Sequence, residues 1–257
     1  MSVAIISAIK NKNECMRNTF FSIKNQKTTF DYKLFFLDDD STEDPKPLIK
    51  HFFDEKQVIY KKNEKSVGIT YVGKCLSEML TDDIEYVIYQ SVDVIWHNKN
   101  ILQNMVEELK KRECIVVPRV FNMKVDPNMW QTGNKFYSTL GRSFFEVGSY
   151  MEPKDAQYLF LAGMRRKTFM EMINHNDYIC DVWSKELLFR EKKLPFVVLK
   201  GAAVHQAHEH IIFNCVNIKE CKYRCCRHPI LEKGLKLPWN CGYYSKEGGD
   251  WENPPPR

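Results

Sequence analysis

Leu37-Asp38-Asp39-Asp40-Ser41-Thr42-Glu43-Asp44 is the stretch whose reading decides the fold of this chain. An apolar strand, Lys33 to Leu37, empties directly into three consecutive carboxylates. Like charges this close are unfavourable unless they are solvated, or needed for a cation or for hydrogen bonds. Taken alone, the stretch is either an acidic turn, with Ser41 or Asp44 capping the next helix, or a ligand loop at a strand end. Its surroundings are regular. Upstream, Val3 to Ala8 reads as a buried strand, and Glu14 to Gln26 as a helix with Met16, Phe20, Phe21 and Ile23 at near-helical spacing. Downstream come a short helix from Pro45 to Phe53, a strand from Gln57 to Tyr60 and a helix from Gly68 to Leu80. Tyr86 to Tyr89 is a further strand, Asn98 to Lys111 a helix, and Cys114 to Pro118 a fifth strand. This alternation predicts an α/β domain with a mostly parallel central sheet and helices on both faces. Right-handed crossovers put the carboxyl ends of its strands along one edge, where such sheets bind ligands.

Composition narrows the function. The chain has 257 residues, 44% apolar and 28% charged, enough for a real core and unlike a disordered segment. The net charge of +5 suits an anionic ligand without calling for a nucleic-acid binder. No apolar run reaches the length of a membrane span, and the start lacks the pattern of a signal peptide. A soluble, cytoplasmic protein is expected, its nine cysteines being free thiols or metal ligands. From Phe121 to Tyr158 the alternation breaks down, with glycines, prolines and scattered aromatics. That segment reads as loop-rich with short strands, a binding surface or lid. Met164 to Ile173 and Asp181 to Glu191 read as helices and Phe196 to Leu199 as a strand.

Three other segments offer chemistry. Tyr89-Gln90-Ser91-Val92-Asp93 ends a strand on a lone carboxylate, which could hold a hard divalent cation together with ligand phosphates. Asp181, at a helix start beside Trp183, is either a plain N-cap or a general base in a partly desolvated site. His205, His208 and His210 follow a strand, as a polar turn or as ligands to Mn²⁺ or a similar cation.

In this order the segments resemble an inverting nucleotide-sugar glycosyltransferase of family 2 with the GT-A fold. The family opens with a strand, a small polar turn and a helix ending Ser-Ile-x-Asn-Gln. Here these are Ile5-Ile6-Ser7-Ala8 and Ser22-Ile23-Lys24-Asn25-Gln26. A Val-Asp-Asp-Gly-Ser-Thr-Asp strand end is matched by Leu37 to Glu43, and a Gly-containing helix start by Asn63 to Gly68. The Asp-x-Asp metal motif is matched by Ser91-Val92-Asp93, an Asp-x-Trp-like segment by Asp181-Val182-Trp183, and the closing strand and His by Val204-His205. The resemblance covers roughly residues 3 to 210.

It implies roles at these positions. Ser7, Ala8, Asp38, Asp39, Gly68, Ser91 and Val92 would form the nucleotide site, with Ser7 and Asp39 on the base and ribose and Asp38 supporting the loop. Asp93 would coordinate Mn²⁺ or Mg²⁺, with His205 the further ligand and His208 the second choice. Asp181 would deprotonate the acceptor hydroxyl, with Asp177 its rival. The donor would be a nucleoside-diphosphate sugar, and the acceptor a glycan or a lipid- or protein-linked glycoconjugate. Three positions depart from the pattern: Ser91 replaces the first Asp of the metal motif, Cys180 a common Glu, and Lys74 a common Asn. The implied layout is a nucleotide-sugar-binding half over 1–120, an acceptor-binding half of the same domain over 121–210, and a Cys-rich C-terminal extension over 211–257. Within that extension, Cys221, Cys225, Cys226 and His228, flanked by Cys215 and Cys241, could hold structural Zn²⁺ or pack as free thiols. Its basic residues form a solvated face or meet an anionic membrane surface. Two other classes stay open: a catalytically silent nucleotide- or glycan-binding module on the same fold, and a nucleotidyltransferase. The second would need a Gly-rich phosphate loop, whereas Lys10-Asn11-Lys12 after the first strand brings charge without glycine.

Overall fold

Seven residues with no helix-breaking or turn signal, Val3–Ile9, form β1, and six of the seven are buried. Burial on both faces marks a central strand. The computed structural model of the chain describes residues 2–147, 149–151, 161–174 and 194–206. The order runs β1, α1 (Asn13–Lys24), β2 (Tyr32–Asp38), α2 (Lys46–Phe52), β3 (Val58–Lys62), α3 (Gly68–Met79) and β4 (Tyr86–Gln90). Next come β5 (Val94–Trp96), α4 (Ile101–Lys111), β6 (Ile115–Met123), α5 (Phe136–Val147), β7 (Ser149–Met151), β8 (Leu161–Arg165), α6 (Arg166–Asn174) and β9 (Phe196–Gln206). A 3₁₀ segment, Met129–Lys135, leads into α5.

The described strands form one sheet in the order β3-β2-β1-β4-β8-β6-β9-β5, with β7 beside β6. From β3 to β4 all neighbours are parallel. Beyond β4 the sheet is mixed: β8 is antiparallel to both β4 and β6, β9 parallel to β6, and β5 antiparallel to β9. The expected α/β class therefore holds, and the parallel character is concentrated in the first four strands. β3 closes one edge with alternating half-exposed residues and two lysines, a pattern that discourages pairing with another chain. The β6–β9 register shifts between Val117 and Arg119, around Pro118, which has no N–H for the ladder.

Helices cover both faces. On one, α1, α2 and α4 bury Met16, Phe20, Ile49, Phe52, Leu102 and Met105 against Val3, Ile5, Leu34, Phe36 and Ile88. On the other, α3 and α6 bury Val72, Leu76, Phe169 and Met172 against Ala4, Ile6, Phe35, Leu37 and Val87. A smaller cluster joins Phe136 and Leu140 of α5 to Ile95, Met123 and Val204. The stretch expected to be loop-rich thus carries a twelve-residue helix, α5, whose buried Phe136 and Leu140 are one turn apart. The strand expected over Phe196 to Leu199 runs on to Gln206, so His205 lies within a strand and not in a turn after it. The boundary at 120 falls inside β6, which runs through Met123.

Candidate active site

Four parallel strands deliver their carboxyl ends to one edge, and four loops leave from there. Asp38, the last residue of β2, is fully buried. Its Oδ1 accepts the Ser41 N–H at 2.8 Å and its Oδ2 accepts the Tyr60 hydroxyl at 2.8 Å. Lys62 Nζ stands 3.6 Å from Oδ2. Burial and the bond to this carboxylate push the Tyr60 phenol far above its usual range. Asp38 thus shapes the turn that follows it.

Asp39 is 2% exposed and turns its carboxylate toward the loop after β3. Oδ1 accepts from Asn63 Nδ2 at 2.9 Å and from the Val67 N–H at 2.8 Å, and Oδ2 accepts from Ser66 Oγ at 2.7 Å. Its main chain binds the loop after β1, with its N–H on the Ile9 carbonyl at 2.9 Å and its carbonyl accepting Lys10 Nζ at 3.1 Å. Asn11 completes the stitching: its N–H donates to Ser41 Oγ at 3.1 Å, and its Oδ1 accepts the Thr42 N–H at 2.8 Å. Asn11 and Asp40 are the two non-glycine residues with positive φ among those described, at 49° and 63°. Asn and Asp tolerate that region better than other side chains.

The loop after β4 brings the second carboxylate. Asp93 is 1% exposed. Ser91 Oγ donates to its Oδ1, and Lys12 Nζ, at the start of α1, pairs with its Oδ2. β5 pairs with β9 in a register that sets Val94 opposite His205, and the Gln206 N–H donates to the Asp93 carbonyl at 2.9 Å. His205 Nε2 consequently lies 3.7 Å from Asp93 Oδ2. Gln206 ties this corner to α1. Its Nε2 donates to the Cys15 carbonyl at 2.8 Å and Thr19 Oγ1 at 3.1 Å, and its Oε1 accepts from Asn18 Nδ2 at 3.1 Å. Burial, and then the nearby Asp93 charge, push the Cys15 thiol up to about 11, so it is no nucleophile at neutral pH.

Two acidic centres, Asp39 after β2 and Asp93 after β4, thus flank the end of β1 along one edge. This is where open α/β sheets bind ligands. A model of the family described as Glycosyl transferase family 2 matches residues 4–173, from β1 through α6. The chain belongs to glycosyl transferase family 2. Solved structures agree on the fold. S. aureus TarS 1-349 is 12% identical with a TM-score of 0.55, over 80% of this chain and 60% of that one. The mannosyltransferase PcManGT from Pyrobaculum calidifontis, in complex with GDP-Man and Mn²⁺, is 14% identical with a TM-score of 0.53, over 81% of this chain and 58% of that one. TarS 1-349 in complex with UDP gives 12% identity and a TM-score of 0.54, over 79% of this chain and 60% of that one. The chain therefore spans about three fifths of the length of these structures. No curated protein matches it.

Within this family 2 chain, Asp38, Asp39, Ser91, Val92, Asp93 and His205 fall at the carboxyl edge. Val92 is buried and Asp93 and His205 are adjacent. Gly68 begins α3, directly after the Val67 N–H that Asp39 holds. Ser7 and Ala8 lie in β1 near its end, on opposite faces. The Ser7 hydroxyl is buried without a hydrogen-bond partner in the described structure, and so is Gln90 Oε1 on the neighbouring strand. Asp181 with its neighbours Cys180 and Trp183, the rival Asp177, His208 and the whole Cys-rich extension lie outside the described residues. Among the described residues no three His, Cys, Asp or Glu side chains converge as a metal cluster. What converges is the carboxylate–imidazole pair of Asp93 and His205, and O and N donors of this kind suit Mn²⁺. A hard cation of this size completes its shell with waters and phosphate oxygens, so two protein ligands suffice. Sequence reasoning missed Asn11, Lys12, Asn63, Ser66 and Gln206 as parts of the site. The signals available were the Lys10-Asn11-Lys12 run placed directly after a buried strand, and the Asn63 to Gly68 segment, which the sequence marks only as a helix start.

Proposed function

We propose that this chain transfers a glycosyl group from a nucleoside-diphosphate sugar to a hydroxyl of a glycan or glycoconjugate acceptor, with inversion at the anomeric carbon. The observation that carries the reading is the placing of Asp39 and the Asp93–His205 pair at one strand edge, on either side of β1. Asp39 fixes the loops after β1 and β3 and would receive the ribose. Ser7 and Ala8 of β1 and Gly68 at the start of α3 would line the nucleotide side, with Ser91 and Val92 shaping the turn to Asp93. Asp93 and His205 would hold Mn²⁺ or Mg²⁺, which when bound offsets the charge of the departing diphosphate. The structural relatives with GDP-Man and Mn²⁺, or with UDP, support a donor of this class. In the transfer, the acceptor oxygen bonds to the anomeric carbon as the bond to the diphosphate breaks. Asp181 takes the hydroxyl proton as general base. No helix among the described residues is long and apolar enough to cross a membrane.

Ser91 in place of a carboxylate favours a second reading, a module that binds nucleotide without turnover. Thermal unfolding against UDP, GDP, dTDP and CMP, each with Mn²⁺ and with chelator, tests the donor site, because a ligand of the folded state raises the midpoint. A shift with one diphosphate, followed by release of that diphosphate from its sugar ester, supports transfer. A shift without turnover for any acceptor supports the module. No shift at all overturns both. Asp181→Asn is expected to lower kcat by about a hundredfold or more while leaving that shift in place; full activity would remove Asp181 as the base.

A further inference from the structure

The carboxylate that would take a divalent ion already holds a cation of the protein. Lys12 Nζ and His205 Nε2 converge on the same oxygen, Asp93 Oδ2, while Ser91 Oγ occupies Oδ1. An ion bound by Asp93 Oδ2 and His205 would have to share that oxygen with the ammonium or displace it. Asp93 is almost fully buried, so its charge is poorly screened by water and calls for a cation close by. Lys12 is also in an unfavourable place for a lysine. It is the N-cap of the twelve-residue α1, a helix end that repels cations and attracts anions. Its side chain is 26% exposed, and its long flexible stem can move the charge to another partner.

We propose that Lys12 is an exchangeable internal cation that makes divalent-metal binding conditional on the nucleoside diphosphate. Without nucleotide, the ammonium holds Asp93 Oδ2 and opposes entry of an ion. A diphosphate arriving at the α1 N-terminus offers the ammonium oxygens of its own, Oδ2 is released, and the ion binds at Asp93 and His205. Ser91 belongs to the same device. A second carboxylate there would let a bare ion displace a single lysine, whereas a hydroxyl leaves the lysine competitive. Coupling of this kind is reciprocal: the diphosphate tightens the metal and the metal tightens the diphosphate by the same factor. The role of the diphosphate rests on the donor-site reading above; the competition between Lys12 and the ion does not.

The test is a titration of the full chain with Mn²⁺, following free Mn²⁺ by electron paramagnetic resonance, alone and then with UDP, GDP or dTDP, each referred to a protein-free mixture because the diphosphate itself chelates Mn²⁺. Beyond that reference, wild type is expected to bind Mn²⁺ about tenfold tighter with one of the three diphosphates than without. Lys12→Met is expected to bind Mn²⁺ alone about tenfold tighter than wild type, and to show a smaller gain from nucleotide, keeping only the part that comes from direct phosphate ligation of the ion. Lys12→Arg, which keeps the charge, is expected to match wild type in Mn²⁺ alone. Should Lys12→Met fail to fold, Lys12→Gln takes its place, keeping a hydrogen-bond donor without the charge, with the same expected gain. Mn²⁺ affinity unchanged in the uncharged variant overturns the proposal. Tighter Mn²⁺ in that variant with no response to UDP, GDP or dTDP in any protein leaves Lys12 as the guard of Asp93 and overturns the donor reading instead.

Discussion

Asp40 shows how much one backbone angle can decide. It stands where the family pattern has glycine, and its φ of 63° is the reason glycine suits the position. The turn must reverse there so that Asp38 can accept the Ser41 N–H while Asp39 faces the loop after β3. Asp40 is exposed, so replacing it tests the backbone with little loss of packing. Asp40→Gly is expected to change stability by less than about 0.5 kcal/mol, relief of strain offsetting added freedom in the unfolded chain. Asp40→Val is expected to cost about 1–2 kcal/mol, because a β-branched side chain is strained at positive φ. Urea unfolding of both variants checks this, and equal stabilities would mean that the turn is held by its hydrogen bonds with no backbone demand. The same pair also reports on the site, since a loosened turn moves Asp39.

At the scale of elements, the sequence was most legible where each strand and its helix carry a distinct apolar period. That holds from β1 to β4, and those strands deliver Asp38, Asp39 and Asp93. It was least legible where an element is short or its residues fit two roles. β5 is three residues long and has no pattern of its own, yet it sets Asp93 beside His205. β8 contains Ala162 and Gly163, poor strand formers, and its Met164 reads equally well as the first turn of the next helix. α5 was hidden by Gly141, which suggests a loop in sequence but here lies in a helix, with space for a Cβ 3.5 Å from His97 Nε2. Gly163 has the opposite character. It sits between Ile88 of β4 and Val116 of β6, and an added Cβ would meet Ile88 Cδ1 and Met105 Cε at 3.0 Å and Leu109 Cδ1 at 3.3 Å. These are the far ends of side chains, so Gly163→Ala is expected to cost only about 1 kcal/mol. Gly163→Leu, which they cannot accommodate, should cost about 3 kcal/mol. Denaturant midpoints measure both. A cost for Gly163→Leu below that of Gly163→Ala would show that α4 can lift from the sheet, and with it that the β4–β8–β6 junction is not what holds the mixed half in register.

At the scale of the whole molecule, two places compete for a ligand. One is the carboxyl edge with Asp39 and Asp93. The other is a hollow of about 640 Å³ lined by Glu85, Tyr86, Arg165, Arg166, Met170 and Glu171, at the amino end of β4 and the opposite edge of the sheet. The hollow has room for a ligand, and Arg165, Arg166 and Lys167 on its wall would meet an anion. Yet Arg165 already donates to the Leu109 carbonyl at 3.1 Å, Arg166 pairs with Asp82 at 2.7 Å, and two glutamates line the same wall. Lysines and a helix N-terminus occur at both places, since Lys167 and the start of α6 line the hollow, so topology separates them: open α/β sheets bind ligands outside the carboxyl ends of their strands. Hydrogen exchange separates the two. Any ligand of the folded state slows exchange throughout the core, because amides that open only by global unfolding all sense the added stability. Exchange at early times, governed by local opening, is the discriminating signal. With UDP or GDP and Mn²⁺, early protection is expected in residues 9–13, 38–42, 63–67 and 90–94, with residues 82–86 and 165–171 unchanged. Protection confined to the second set would move the ligand to the opposite edge. The Lys12–Asp93–His205 corner would then become a buried ion pair bracing β4 and β9 against α1, with no part in binding a donor.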